Sequence, residues 1–99
     1  MIVKITHFTI KKNSYSLTFI DLYYIQKEIF LEKSDSLAPP LYNFFKSQEW
    51  FHCDFSSGES GVDNEVIDAQ LIPAHEQKDL DKKSLELRGG SFSYPTLES

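Results

Sequence analysis

Three reactive residue types stand side by side at His52-Cys53-Asp54. A cysteine becomes a nucleophile when a histidine takes its proton. The apolar residues around this triplet predict a strand, in which His52 and Asp54 face one way and Cys53 the other. That geometry prevents a local Cys–His pair, so only a distant histidine, His7 or His75, could activate the thiol. Because free cysteine is among the most buried residue types, a structural cysteine beside a half-exposed histidine is the favoured interpretation.

Candidate metal ligands lack the spacing that a metal site requires. The three histidines and the single cysteine do not show the close spacing of a zinc site. Four acidic residues could suggest a calcium loop: Glu59, Asp63, Glu65 and Asp68. They lack the alternating oxygen ligands, central glycine and closing glutamate of an EF-hand, so a solvated acidic face is favoured. The sequence therefore predicts no metal site, no cofactor and no catalytic residue.

The net charge of -5 is unevenly distributed along the 99-residue chain. Residues 1–53 and residues 82–99 each have a net charge of +1, whereas residues 54–81 carry eight acidic residues and one lysine. A surface of this sign repels phosphate backbones, whose binding depends on Lys and Arg displacing counterions. The sequence therefore predicts that the protein does not bind nucleic acid directly.

Length and composition predict one domain in the cytoplasm. The chain is 40% hydrophobic and 25% charged, as expected for a globular domain of this size. Aromatic residues make up 14% of it, and most of them are expected in the core. No stretch reaches the roughly 20 apolar residues that span a bilayer, and the first residues lack the pattern of a secretory signal. The single cysteine excludes an internal disulfide.

A β-hairpin followed by a helix is predicted for the first third of the chain. Residues 1–20 contain two β-rich runs around a polar turn at residues 11–14. Asp21 is a candidate N-cap, because its carboxylate can accept hydrogen bonds from the amides of a following first turn. Apolar residues within residues 22–29 recur at spacings of three and four, which predicts a helix that continues to about Lys33.

Short strands are predicted for the rest of the chain. Pro39 and Pro40 are expected to exclude both a regular helix and a central strand. Four short apolar runs predict strands: residues 41–45, 50–55, 66–72 and 84–87. Residues 54–65 predict a polar loop, and the charged residues 74–83 could hold a helical turn. The last strand would have Leu85 and Leu87 on one face.

The order of these elements resembles the ubiquitin family. The last predicted strand leads into Leu-Arg-Gly-Gly at residues 87–90, the four residues with which ubiquitin ends. A helix with charged exterior residues, followed by paired prolines, is a second similarity. The resemblance implies an α+β fold of the β-grasp type, with a mixed sheet packed on one helix. It further implies a protein that is not an enzyme, with a ubiquitin-like domain over residues 1–88 and a flexible C-terminal tail with a processing site at residues 89–99.

The resemblance also implies a chemistry for this terminus. Modifiers of this family are activated at the terminal glycine carboxylate, passed to an enzyme cysteine as a thioester, and attacked by a target lysine. Here the acyl carbon would belong to Gly90, after a processing protease cuts between Gly90 and Ser91. Gly89 and Gly90 would let the backbone lie extended in a narrow enzyme channel. Leu87 and Arg88 would be recognised by the activating and conjugating enzymes, Arg88 through its planar donor fork.

Two departures from ubiquitin indicate a divergent relative, as in bacterial ubiquitin-like operons. Glu86 stands where ubiquitin has arginine, so a dedicated activating enzyme would be needed. The segment of residues 46–83 is longer and more acidic than the corresponding segment of ubiquitin. The hydrophobic recognition patch of ubiquitin therefore cannot be assigned to particular residues of this chain. A simpler alternative also stays open, in which Gly89-Gly90 is a turn before one more strand.

A rival hypothesis belongs to a different class of protein. Residues 54–81 could form the acidic surface of a small partner-binding protein, such as a phage-type inhibitor or an immunity protein. Such a surface would occupy a basic pocket on its target. High salt would weaken that binding, whereas an isopeptide bond would survive denaturing conditions.

Overall fold

The computed structural model describes residues 1–58, 61 and 63–89, and these form one antiparallel sheet and two helices. The elements follow the order β1 (Ile2–Ile10), β2 (Ser14–Ile20), β3 (Gln26–Glu32), α1 (Ala38–Ser47), β4 (Phe51–Ser57), β5 (Asp63–Leu71) and α2 (Ala74–Leu87). The strand order is β3-β2-β1-β4-β5. The α+β class is confirmed. Within the described ranges, no helix has the length and apolar character needed to cross a membrane.

The predicted β-hairpin at the start of the chain is confirmed. Strands β1 and β2 pair antiparallel, with Ile10 opposite Tyr15 next to the turn. The backbone N–H of Lys11 donates a hydrogen bond to the Ser14 carbonyl at 2.9 Å, which closes the turn. Apolar residues that alternate along both strands are buried on the inner face of the sheet, as expected because every second side chain of a strand points to the same face.

The segment predicted as a helix instead forms β3, which pairs antiparallel with β2 from end to end. Apolar residues four apart share one face in a strand as well as in a helix, so that spacing does not distinguish the two. Ile29 and Leu31 are buried, whereas Phe30 between them is 60% exposed. This alternation belongs to a strand, and the helix predicted for residues 21–33 is therefore wrong.

Asp21 stabilises a turn and does not cap a helix. Its Oδ1 accepts hydrogen bonds from the backbone N–H of Tyr23 at 2.8 Å and of Ile25 at 3.0 Å. Tyr24, between them, has a φ of 63°. Aspartate carboxylates accept nearby backbone N–H groups in turns as they do at helix starts, which explains why the sequence pattern was ambiguous.

Helix α1 begins at the proline pair that was expected to exclude a helix. Pro39 and Pro40 lie in the first turn, where backbone N–H groups have no intrahelical partner and proline loses nothing. Residues 41–45, predicted as a strand, belong to this helix. Leu41 is fully buried, and the Phe44 ring stacks on Phe51 of β4 at 4.4 Å between centroids.

The strands predicted for residues 50–55 and 66–72 are confirmed as parts of β4 and β5. The intervening polar loop is shorter than predicted, because the two strands stay paired as far as Ser57 and Asp63. The register shifts twice along this pair, once after Asp54 and once after Ser56. At each shift β5 contains one extra residue, which is the arrangement of a β-bulge.

The charged segment after Pro73 forms the 14-residue helix α2, and the strand predicted for residues 84–87 is the last turn of this helix. Ser84 is 1% exposed, and its Oγ donates a hydrogen bond to the Leu22 carbonyl at 2.5 Å. Two details of the predicted architecture are therefore corrected. The sheet is antiparallel in every described pair, and the described residues form two helices where one was expected.

Trp50, just before β4, joins α2 to the sheet. Its indole is 1% exposed and packs with Ile20 and Ile72. The indole Nε1 donates a hydrogen bond to Asp81 at 2.7 Å. The Gln77 amide bonds both backbone groups of Trp50: Oε1 accepts from the N–H at 2.8 Å and Nε2 donates to the carbonyl at 2.9 Å. Helix α2 is thus held by these polar contacts together with Leu80, which packs against the same cluster.

We expect Gln77→Ala to lower the free energy of unfolding by about 1–3 kcal/mol, because it leaves two partly buried backbone groups of Trp50 unpaired. Urea denaturation followed by tryptophan fluorescence measures this change. Lys78→Ala, at the next and exposed position, is the matched control and should stay within about 0.5 kcal/mol of the parent protein. Equal effects of the two substitutions would contradict the assigned role of Gln77.

Candidate functional site

Cys53 is buried in β4, as the favoured interpretation of the sequence required. It is 1% exposed, and its neighbours His52 and Asp54 are exposed on the other face of the strand. Burial raises the pKa of the thiol to about 12; the positive N-terminus and Lys27 oppose this rise, whereas the negative charges of Asp54 and Asp68 add to it. The thiol is therefore protonated at neutral pH, which disfavours nucleophilic chemistry.

The described histidines do not contact this thiol. His7 lies on β1, where its Nδ1 is 3.0 Å from the Thr6 hydroxyl. His75 lies on α2, 3.8 Å from the Glu76 carboxylate. Within the described residues, no group of three His, Cys, Asp or Glu side chains is arranged to hold a metal ion. Glu59 and the side chain of Asp63, which belong to the calcium-loop alternative, lie outside the described part of the chain.

The Leu-Arg-Gly part of the terminal motif is the end of α2. Leu87 is the last helical residue, and Arg88 follows as the C-cap. Gly89 has a φ of 75°, and its N–H donates a hydrogen bond to the Glu86 carbonyl at 3.0 Å. A glycine with positive φ is a common helix terminator. The two positions of the predicted cleavage site, Gly90 and Ser91, lie outside the described residues.

Arg88 makes two contacts in this helix end. Its Nε donates a hydrogen bond to the Ser84 carbonyl at 3.2 Å. Its guanidinium carbon lies 3.8 Å from the centroid of the Tyr24 ring, within the range of a cation–π contact. Arg88, which was predicted to be recognised by an activating enzyme, therefore connects the end of α2 to the turn between β2 and β3.

Two carboxylates lie directly opposite each other on the outer face of β4 and β5. Asp54 of β4 pairs with Asp68 of β5, next to the buried pair of Cys53 and Ala69. Like charges in directly opposite positions of a sheet repel each other. Asp68 accepts a hydrogen bond from Gln70 at 2.9 Å. Among the described residues, none makes a hydrogen bond or ion pair with the Asp54 carboxylate.

A third carboxylate extends this feature along the same strands. Glu65 of β5 lies opposite Ser56, whose Oγ is 3.3 Å from Glu65 Oε1. The alternation of β4 places Ser56 on the same side as Asp54. We call Asp54, Glu65 and Asp68 the acidic face. Asp81 of α2, also part of the acidic block, instead accepts a hydrogen bond from the Trp50 indole and lies 3.5 Å from the Lys4 ammonium.

Sequence analysis placed Glu65 in a loop, Asp54 where a predicted strand and this loop overlap, and Asp68 in the next predicted strand, and it missed their pairing. The apolar residues that alternate with them, at Phe55 and Val66, are the signal that both strands continue past Asp54. The signal was not recognised because the extra residue of a bulge, Ile67, interrupts the alternation of apolar and polar residues in β5. No protein-family model matches the chain, and neither a curated protein nor a solved structure does. Function must therefore be inferred from the residues of this chain.

The raised pKa of Cys53 predicts a loss of stability at high pH. The unfolded thiol ionises near its ordinary pKa of 9.0, whereas the folded thiol keeps its proton to about pH 12. The unfolded state therefore binds fewer protons in this window, and the free energy of unfolding falls as pH rises. For this group the slope approaches about 1.4 kcal/mol per pH unit.

Cys53→Ala is the reference for this measurement, because it removes the thiol but leaves the lysines and tyrosines that titrate in the same range. Urea denaturation of both proteins from pH 8 to pH 11 gives the two slopes. We expect the parent protein to lose stability more steeply than Cys53→Ala above pH 9. Parallel curves would contradict a buried, protonated thiol.

Proposed function

We propose that this protein is a small acidic partner-binding protein that uses its acidic face to occupy a basic pocket on a target protein, as inhibitor and immunity proteins do. The observation that carries the proposal is the cross-strand pair of Asp54 and Asp68. The pair destabilises the isolated sheet, and a cationic partner would turn this repulsion into attraction.

The sheet holds these carboxylates in fixed positions. Phe51 and Cys53 are buried on the inner side of β4, with exposed fractions of 0% and 1%. They anchor the strand whose outer side carries Asp54. Charges on a rigid element lose little side-chain and backbone freedom on binding, so more of their interaction energy contributes to affinity. A negative net charge of -5 also speeds the encounter with a basic partner.

An exposed apolar residue lies next to Asp68 in the sequence of β5. Ile67 is the extra residue of the bulge beside Asp68, and its side chain is 58% exposed. Interfaces commonly combine apolar contacts with charged groups that fix the partner's orientation. Ile67 therefore offers an apolar contact next to the charge of Asp68.

Replacing the paired carboxylates should change stability and partner binding in opposite directions. We expect Asp54→Asn combined with Asp68→Asn to raise the free energy of unfolding by about 0.2–1 kcal/mol, because it removes the like-charge pair. The same variant should lose most of the partner that the parent protein captures from a lysate of its native host at low salt. Urea denaturation and quantitative mass spectrometry of the captured proteins measure the two effects.

Glu32→Gln is the matched control, since it removes one exposed negative charge from β3, outside the acidic face. It should retain the captured partner, and raising the salt concentration should release that partner from the parent protein. The proposal fails if the double variant captures the same partner as the parent, or if binding does not respond to salt.

A second proposal is the ubiquitin-like modifier precursor, together with the β-grasp relationship that the terminal motif implies. The observation in its favour is that Leu87, Arg88 and Gly89 are exposed at the end of the last described element, where a protease can reach the chain. Conjugation through Gly90 would require the end of α2 to unwind and Arg88 to leave Tyr24. The activating enzyme, conjugating enzyme, processing protease and target lysine belong to this proposal, as does a cytoplasmic location.

Intact mass spectrometry of the protein from its native host tests the modifier hypothesis. We expect a chain that lacks residues 91–99, or a target lysine that carries a branch ending in Gly90. Gly90→Ala should abolish both species, whereas Ser93→Ala, within the removed segment, should leave them unchanged. A chain that retains its full mass, with no branched peptide, would rule out the hypothesis without affecting the acidic partner-binding proposal.

A further inference from the structure

A groove of about 520 Å³ lies between the β1–β2 hairpin and the start of α1. One wall is formed by Phe8, Ile10 and Tyr15 of the hairpin, and the other by Pro39 and Tyr42 of the helix. The loop between β3 and α1 contributes residues 33–36. The volume falls within the range of small-molecule sites, which are mostly lined by apolar and aromatic side chains.

The aromatic rings of this groove support one another. The Phe8 centroid lies 5.1 Å from that of Tyr15 and 5.2 Å from that of Tyr42, the second pair being edge-to-face. Phe8, which is part of the hairpin wall, therefore also contacts the helix wall. Ile10 and Tyr42 remain 67% and 40% exposed, respectively. This is a substantial apolar surface in contact with water, and its burial by a ligand would be favourable.

Positive charges surround this apolar surface. The Lys33 ammonium lies 5.8 Å from the centroid of the Tyr15 ring, and the Lys46 ammonium lies 5.6 Å from that of Tyr42. Lys11 and Lys12 form the exposed turn that directly follows Ile10. Four of the chain's ten basic residues thus lie at or beside the groove, although the protein as a whole carries a net charge of -5.

One acid lines the groove, and it already has a structural role. Asp35 Oδ1 accepts a hydrogen bond from the backbone N–H of Leu37 at 2.9 Å, immediately before α1 begins. This bond stabilises the loop that closes one side of the groove. The Asp35 carboxylate keeps its negative charge, but the four lysines at or beside the groove outnumber it.

We propose that this groove binds a small amphipathic anion, with an apolar chain or aromatic ring between Phe8, Tyr15 and Tyr42 and a carboxylate near Lys33 and Lys46. The occupant is inferred from the combination of an apolar floor with a positively charged rim. This site uses β1, β2, β3 and α1, whereas the acidic face uses β4 and β5. The inference is therefore independent of the proposed partner binding.

Three eight-carbon probes with different head groups test the charge preference: octanoate, octanol and octylamine. Each is titrated into the ¹⁵N-labelled protein while amide chemical shifts are followed by NMR. We expect octanoate to perturb residues of the groove and to bind at least about tenfold more tightly than octylamine, with octanol between them, because only the head-group charge differs. Equal affinities of octanoate and octylamine, or shifts confined to other surfaces, would overturn the proposal.

Variants locate the site within the groove. Lys33→Gln and Lys46→Gln should each weaken octanoate binding by about threefold, as expected for exposed charge pairs. Lys83→Gln, at an exposed position of α2, should leave the affinity unchanged. Tyr42→Ala should weaken binding by about tenfold, whereas Tyr42→Phe should retain it. If Tyr42→Ala does not fold, the lysine variants still test the proposal. Equal effects of the substitutions at Lys33, Lys46 and Lys83 on octanoate affinity would contradict a specific site.

Discussion

The hydrogen-bonded burial of Trp50 is the constraint on which the arrangement of this fold depends. The residue lies between α1 and β4, and Gln77 of α2 bonds both its N–H and its carbonyl. Asp81 accepts from the indole, and the Lys4 ammonium lies 4.7 Å from the ring. The N–H of a buried tryptophan usually has a hydrogen-bond partner, and α2 supplies that partner here through Asp81.

This constraint also determines where the functional surfaces lie. Trp50 fixes the start of β4, and the alternation that follows places Phe51 and Cys53 inside and Asp54 outside. On the other side of Trp50, Phe44 of α1 stacks on Phe51 and positions the helix whose first turn lines the groove. The acidic face and the positively charged groove are therefore separate consequences of one packing arrangement.

The elements predicted correctly are those in which the apolar residues of the sequence pattern are also the residues buried in the structure. The β1–β2 hairpin and the start of β4 alternate clearly. The prediction failed at β3, because Ile25 and Ile29 fit a helix or a strand equally well, and a strand pairing with β2 decides between them. It failed at α1, because Pro39 and Pro40 restrict a helix interior but not a first turn.

Helix α2 was missed for a different physical reason. The residues by which it contacts the sheet include Gln77, Asp81 and Ser84, which are polar, so no apolar stripe identifies its buried side. Its partners, Trp50 and Leu22, are distant in sequence. The Asp54–Asp68 pair was missed for a similar reason, since the register of β4 and β5 depends on two bulges that no local pattern specifies.

The bulges of β5 have a consequence for the behaviour of the molecule in concentrated solution. A flat strand at the margin of a sheet is a template on which another chain can add, and such addition leads to fibres. Extra residues bend the strand and interrupt the regular row of donors and acceptors on which a foreign strand would align. Mutual repulsion between the carboxylates of two copies opposes the same event. Bulges and charges of this kind oppose the addition of a foreign strand.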